Sequence, residues 1–107
     1  MKPPNHQIPS FKLNPNQQFP EVVVYSDKNF QGESWRTNLS FSFVGDHWEY
    51  MISSVIVVSG NWEFWSDVDF TGDRCQLGQG YYPDLRGECG LTGFVYKGIK
   101  SFRCVCA

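Results

Sequence analysis

The chain is 107 residues long with a formal net charge of −2, nine basic residues scattered among eleven acidic ones, and aromatics at 17% of positions. That length supports one domain with a single modest core and little room for a separate substrate lobe, and the dispersed charge excludes a nucleic-acid footprint. No apolar run approaches the ~20 residues of a membrane-spanning helix, so no membrane partner is expected. The aromatics read as core, because Phe, Tyr and Trp bury large areas per residue.

Residues 1–20 hold five of the six prolines, with Asn and Gln between them and no acidic residue. Such a stretch sustains neither a helix nor a strand ladder, so it is expected to be an extended tail, with Phe11 and Phe19 able to dock on the domain. Met1-Lys2-Pro3-Pro4-Asn5-His6 lacks the apolar centre of a signal peptide, and secreted and cytoplasmic locations stand as equal expectations.

From Glu21 the pattern takes the period of strands. Strands are expected at 21–26, 33–37, 38–43 and 52–59, then at 62–66, 73–77, near Tyr81-Tyr82, and at 99–106. A long loop rich in Gly runs from Pro83 to Tyr96, with a turn of helix expected within 84–94. The domain is therefore 21–107, divided into motif one (21–59) and motif two (60–107). Two hairpin signatures organise it. Tyr25-Ser26-Asp27-Lys28-Asn29-Phe30-Gln31-Gly32 recurs forty positions later as Trp65-Ser66-Asp67-Val68-Asp69-Phe70-Thr71-Gly72. In each, Gly32 or Gly72 supplies a positive φ and is expected to lie beneath the first aromatic, where a side chain would strike the ring. Setting Ile52 against Ile99 gives an offset of 47 in place of 40, so motif two carries seven extra residues before its last strand.

Neither motif buries its apolar face alone, and two Greek keys packed face to face make an all-β sandwich. Tyr25, Phe30, Trp35, Val55, Val57, Trp62, Phe64, Phe70, Leu77 and Phe102 are expected to face or border a shared core.

Cys75, Cys89, Cys104 and Cys106 all fall in the second half. If all four pair, Cys104 does not bridge Cys106, since i and i+2 on a strand point the same way at about 6.5–7 Å. That leaves 75–104 with 89–106 or 75–106 with 89–104; four reduced, buried thiols are the equal alternative. His6 and His47 have no zinc-ligand spacing, and no nucleophile sits in a triad order. No enzyme is expected. Asn38-Leu39-Ser40 is a glycosylation sequon, with meaning only in a secreted eukaryotic protein.

The paired Tyr/Trp-x4-Phe-x-Gly signatures, the Ile52-Ser53-Ser54 strand start and the Ser59-Gly60-Asn61-Trp62 junction resemble the βγ-crystallin superfamily over residues 21–107. The resemblance implies a single two-motif domain without catalysis. It also implies a segment reading Asn/Asp, Asn/Asp, two of any, Ser/Thr, Ser, through which many microbial members bind two calcium ions. The matching stretches are Glu49-Tyr50-Met51-Ile52-Ser53-Ser54 and Tyr96-Lys97-Gly98-Ile99-Lys100-Ser101. In the family pattern each ion takes its acids from one motif and its hydroxyl from the other, so Glu49 would face Lys100 and Ser53 would face Tyr96 and Lys97. Calcium wants six to eight oxygens, and a fixed ammonium competes for them. Glu49 and Ser53 are thus the remnants of a weak or lost calcium site, with no other cofactor expected. Ser54 and Ser101 are expected to bond to hairpin backbone. Two functions are open on this reading: a monomeric structural or stress-type domain with degenerate calcium sites, or a secreted, disulfide-linked binding protein of peptidase-inhibitor or antimicrobial type. The second would meet a protein partner through the loop 83–94.

Overall fold

The computed structural model describes residues 19–90 and 98–105; the expected tail, all but its last two residues, and the segment 91–97 lie outside them. The strands are β1 (Glu21–Asp27), β2 (Gln31–Thr37), β3 (Ser54–Ser59), β4 (Asn61–Asp67), β5 (Thr71–Leu77), β6 (Gly80–Tyr82) and β7 (Ser101–Val105), with a short helix α1 (Leu85–Cys89). They form two antiparallel sheets, one in the order β2-β1-β3-β6 and the other β5-β4-β7. Strand chemistry follows the sequence: β1 and β3 read Val-Val-Val and Val-Ile-Val-Val, β-branched side chains that suit a pleated, buried surface.

The third expected strand, 38–43, contracts to one bridge. Phe41 N–H donates to Phe102 C=O at 2.9 Å, and Phe102 N–H to Phe41 C=O at 3.1 Å. Phe41 therefore extends the second sheet beyond β7, while β6 of motif two completes the first sheet beside β3. Each motif lends its third segment to the other's sheet. Two self-contained keys stacked face to face would make no such exchange.

Period-two alternation splits the apolar side chains into two groups. Val22, Val24, Val55, Val57, Trp62, Phe64 and Phe102 meet between the sheets, with Trp35 packed against them. Val23, Tyr25, Phe30, Ile56 and Val58 form a second cluster on the other face of the first sheet. Tyr25 and Phe30 thus leave the shared core expected for them, because their parity on β1 and its hairpin points them away from it. Phe30 stands edge-on to both Tyr25 and Tyr81, each at 5.8 Å between ring centroids. Phe70, also assigned to the core, is half-buried on the outside of the second sheet.

Candidate functional site

The two hairpins are built alike, atom for atom. In motif one, Ser54 Oγ accepts from Phe30 N–H at 3.0 Å and donates to Asp27 C=O at 2.6 Å. In motif two, Ser101 Oγ accepts from Phe70 N–H at 3.1 Å and donates to Asp67 C=O at 2.6 Å. These bonds hold Phe30 and Phe70 at positive φ of 61° and 57°, a costly setting for a bulky residue. A β-carbon at Gly32 would lie 2.2 Å from Ser26 Oγ, and one at Gly72 would lie 2.4 Å from Ser66 Oγ. The close neighbour is therefore the serine after the aromatic, not the ring of Tyr25 or Trp65. Ser26 Oγ accepts from Glu33 N–H at 2.9 Å and Ser66 Oγ from Asp73 N–H at 2.8 Å, each closing its hairpin over the glycine.

The loop before β3 meets the approach to β7 where the remnant cation site falls. Val44 N–H donates to Lys100 C=O and Lys100 N–H to Trp65 C=O, both at 2.9 Å, so the Lys100 backbone is pinned on two sides. Its ammonium reaches across to Glu49 Oε2 at 3.2 Å, with the two side chains 17% and 24% exposed. The hydrogen bond to Glu49 holds the Lys100 pKa above the ordinary lysine value. Lys100 Nζ also lies 5.2 Å from the Tyr50 ring centroid.

A second cation arrives from α1. Arg86 donates to the Tyr50 backbone carbonyl. A β-carbon at Gly98 would lie 3.1 Å from both the Arg86 guanidinium and Tyr50 Cα, so this glycine leaves room for the approach. Nothing in the sequence pointed to Arg86, which lies between the hairpin of motif two and its last strand, a span seven residues longer than in motif one. Ser53 is also committed: its hydroxyl donates to Met51 C=O at 3.0 Å and its carbonyl takes the Leu85 N–H at 2.9 Å. Tyr96 and Lys97, its expected neighbours, lie outside the described residues. Among the described residues no three His, Cys, Asp or Glu side chains converge. The donor set at Glu49 does not fit a calcium ion: one carboxylate faces an ammonium, and the adjacent carbonyl accepts from a guanidinium.

What places α1 is a disulfide. Cys75 on β5 bonds Cys89 at the end of the helix, with Cα atoms 5.5 Å apart. Asp84 caps the helix by accepting from Gly87 N–H at 3.2 Å, and Leu85 is fully buried. Both two-bridge pairings are thereby overturned. β4 lies between β5 and β7, pairing Phe64 with Cys75 and Trp62 with Cys104. Two inter-strand spacings of about 4.8 Å put Cys75 beyond disulfide reach of Cys104. Cys104 is half-buried beside the core, and Cys106 lies outside the described residues.

On the outside of the second sheet Glu63 is 5% exposed, between Arg103 at 2.6 Å and Arg74 at 3.3 Å. Arg103 lies over the rings of Trp65 and Phe70, 5.7 and 4.9 Å from their centroids. Burial pushes the Glu63 carboxyl up, but the hydrogen bond and charge of Arg103, with the charge of Arg74, outweigh it and hold the pKa below the usual value.

The family model for Beta/Gamma crystallin matches residues 21–105. Beta/gamma-crystallin of Ciona intestinalis is 31% identical over 65 residues, covering 60% of this chain and 77% of that protein. Gamma-crystallin-1 of Xenopus laevis is 25% identical over 72 residues, 67% of this chain but only 41% of the frog protein's length. Among solved structures, a betagamma-crystallin from an archaeon superposes with a TM-score of 0.71 at 31% identity, covering 82% of this chain and all of that one. The twin serine-closed hairpins, the two exchanged third segments and the match over residues 21–105 establish that the chain belongs to the beta/gamma crystallin family.

Proposed function

We propose that this chain is a non-catalytic, monomeric structural domain in which its own cationic side chains stand where calcium would otherwise join the two motifs. The observation that carries this reading is the Lys100 ammonium 3.2 Å from Glu49, with Arg86 on the neighbouring Tyr50 carbonyl. A solved fungal domain of this fold is a Ca2+-bound form. In the present chain both oxygens that would begin such a site already have partners of the same sign as the metal. The ion pair links the loop of motif one to the approach to the last strand of motif two, and so does mechanically what a shared ion would do.

The test is thermal melting with and without millimolar calcium, alongside calorimetric titration. A ligand that binds only the folded state at ~100 times its dissociation constant adds ~2.7 kcal/mol and raises the melting temperature. The expected result is no shift and no binding tighter than roughly millimolar, the weak end for protein calcium sites. A shift of many degrees, or micromolar binding, overturns the reading and restores a calcium module.

One observation favours a second reading, a secreted binding protein. The Cys75–Cys89 bond fastens the start of the loop 83–94 to β5, and a rigidly mounted loop is a common binding surface. A thiol count on protein from its native source tests it: fully reduced thiols remove this reading, whereas an intact bridge keeps it and is equally compatible with a structural domain that is secreted.

A further inference from the structure

We propose that Asn38 is an N-glycosylation site, its side-chain amide carrying an N-acetylglucosamine-linked oligosaccharide acquired in an oxidising secretory compartment. Asn38-Leu39-Ser40 satisfies the acceptor pattern, with a non-proline residue in the middle. The structure adds where this tripeptide sits. It comes directly after β2, the edge strand of the first sheet. There Leu39 N–H donates to Thr37 Oγ1 at 3.0 Å, in the bend that follows the strand. Asn38, Leu39 and Ser40 are all exposed, and among the described residues the Asn38 amide makes no hydrogen bond that a sugar would have to break.

The compartment is argued from a separate feature. Disulfides form and persist where the surroundings are oxidising, and Cys75–Cys89 is intact here. The same compartment holds the activated donor, an oligosaccharide on a polyprenyl pyrophosphate. In the transfer, Asn38 Nδ2 forms a bond to the anomeric carbon of the first sugar. The bond from that carbon to the pyrophosphate oxygen breaks, the polyprenyl pyrophosphate leaves with its electron pair, and one proton departs from Nδ2. No oxidant or reductant enters.

The order of events is set by the fold. In the folded chain the Ser40 hydroxyl accepts the Cys104 N–H at 3.1 Å, from a residue 64 positions later. A transferase reads that hydroxyl, so transfer belongs to the interval before β7 docks, while Ser40 is still free. The finished domain then keeps Asn38 outward. Asn38 shares a surface groove with Phe19, Pro20, Glu21, Arg36 and Thr37. Phe19 is 68% and Leu39 61% exposed, the two most exposed large apolar side chains described. The carbon-bound face of a pyranose has apolar surface of this kind to cover, and bulk at the end of an edge strand hinders edge-to-edge pairing with another copy.

The experiment uses protein from its native source, digested with trypsin. Asn38 falls in the peptide Thr37–Arg74, which contains no internal Lys or Arg and no second sequon. The expected result is that most of this peptide carries hexose and N-acetylhexosamine mass, and that peptide-N-glycosidase removes it while converting Asn38 to Asp. A peptide at its unmodified mass before and after the enzyme overturns the proposal. In parallel, the full chain is expressed through a eukaryotic secretory pathway behind an added leader. Asn38→Gln and Ser40→Ala should each abolish the mobility shift, and Ser40→Thr should keep it. A shift that survives Asn38→Gln places the glycan elsewhere and equally overturns the assignment.

Discussion

A β-carbon at Gly72 would sit 2.4 Å from Ser66 Oγ and 2.7 Å from Asp67 Oδ2, on a backbone with φ of +83°. Gly72→Val therefore combines left-handed strain of ~1–3 kcal/mol with overpacking of similar size, and is expected to cost about 3–5 kcal/mol of stability, read from the shift of the urea midpoint multiplied by the unfolding slope. Gly45→Ala is the comparison: its φ of +95° is equally unfavourable, but nothing lies within 4 Å of the added carbon. It should lose only the conformational part, about 1–2 kcal/mol. If both variants lose the same amount, the serine contact contributes nothing. The two glycines were legible because turn chemistry is local and was written twice. Their neighbour was misread, although the sequence held the clue: Ser26-Asp27 and Ser66-Asp67 repeat as faithfully as the aromatics before them. Lys100 opposite Glu49 was legible for the same reason, through register between repeats. Arg86 was not, since it lies in the span of motif two where seven extra residues break the register with motif one.

α1 has five residues, one of them Gly87, and a helix so short holds no shape without tertiary anchors. Its anchors are the Asp84 cap, buried Leu85 and the Cys75–Cys89 bond, which closes a sequence separation of 14. Replacing both cysteines by serine should cost about 3 kcal/mol by loop-closure entropy. It should also loosen Arg86 from Tyr50, which faster amide exchange across 84–89 would report. An unchanged melting temperature would mean that the cap and Leu85 suffice. The four cysteines could be counted from sequence, but their pairing depended on strand order, and it is β4 lying between β5 and β7 that separates Cys75 from Cys104. The second sheet makes its own prediction through Glu63, which holds Arg74 and Arg103 across three strands. Its folded pKa is depressed, so its ionised form contributes stability above the unfolded carboxylate value. That contribution is lost as pH falls through the folded value. Glu63→Gln should destabilise at neutral pH and flatten the acid limb of the stability curve. An acid limb unchanged by the substitution would assign acid sensitivity to other carboxylates.

The exchange of third segments governs how the whole molecule unfolds. Phe41 of motif one is hydrogen-bonded to Phe102 of motif two, and Val55, Ile56 and Val57 of motif one pair with Tyr82, Tyr81 and Gly80 of motif two. Between the sheets Trp35 packs on Phe102 at 5.4 Å between ring centroids, and Trp62 packs on the same ring at 5.9 Å. The sequence announced two motifs through its repeat, yet a repeat says nothing about whose sheet receives the third segment. Separating the motifs would strip an edge from each sheet and open the layer containing Trp62, Phe64 and Phe102, all fully buried. Burying a side chain of this size contributes several kcal/mol, a large share of the ~5–15 kcal/mol that holds a small domain together. Neither half can lose it and stay folded, so the expected outcome is one two-state transition in urea. Tryptophan emission samples Trp62 between the sheets, Trp35 and Trp48 packed against that core, and Trp65 on the outside of the second sheet, whereas far-ultraviolet dichroism samples every strand. The two probes should give coincident midpoints and slopes. Residues 21–59 expressed alone should show no cooperative transition at all. Separated midpoints, or a folded fragment, would mean that the exchanged segments decorate two independent units and do not lock them together.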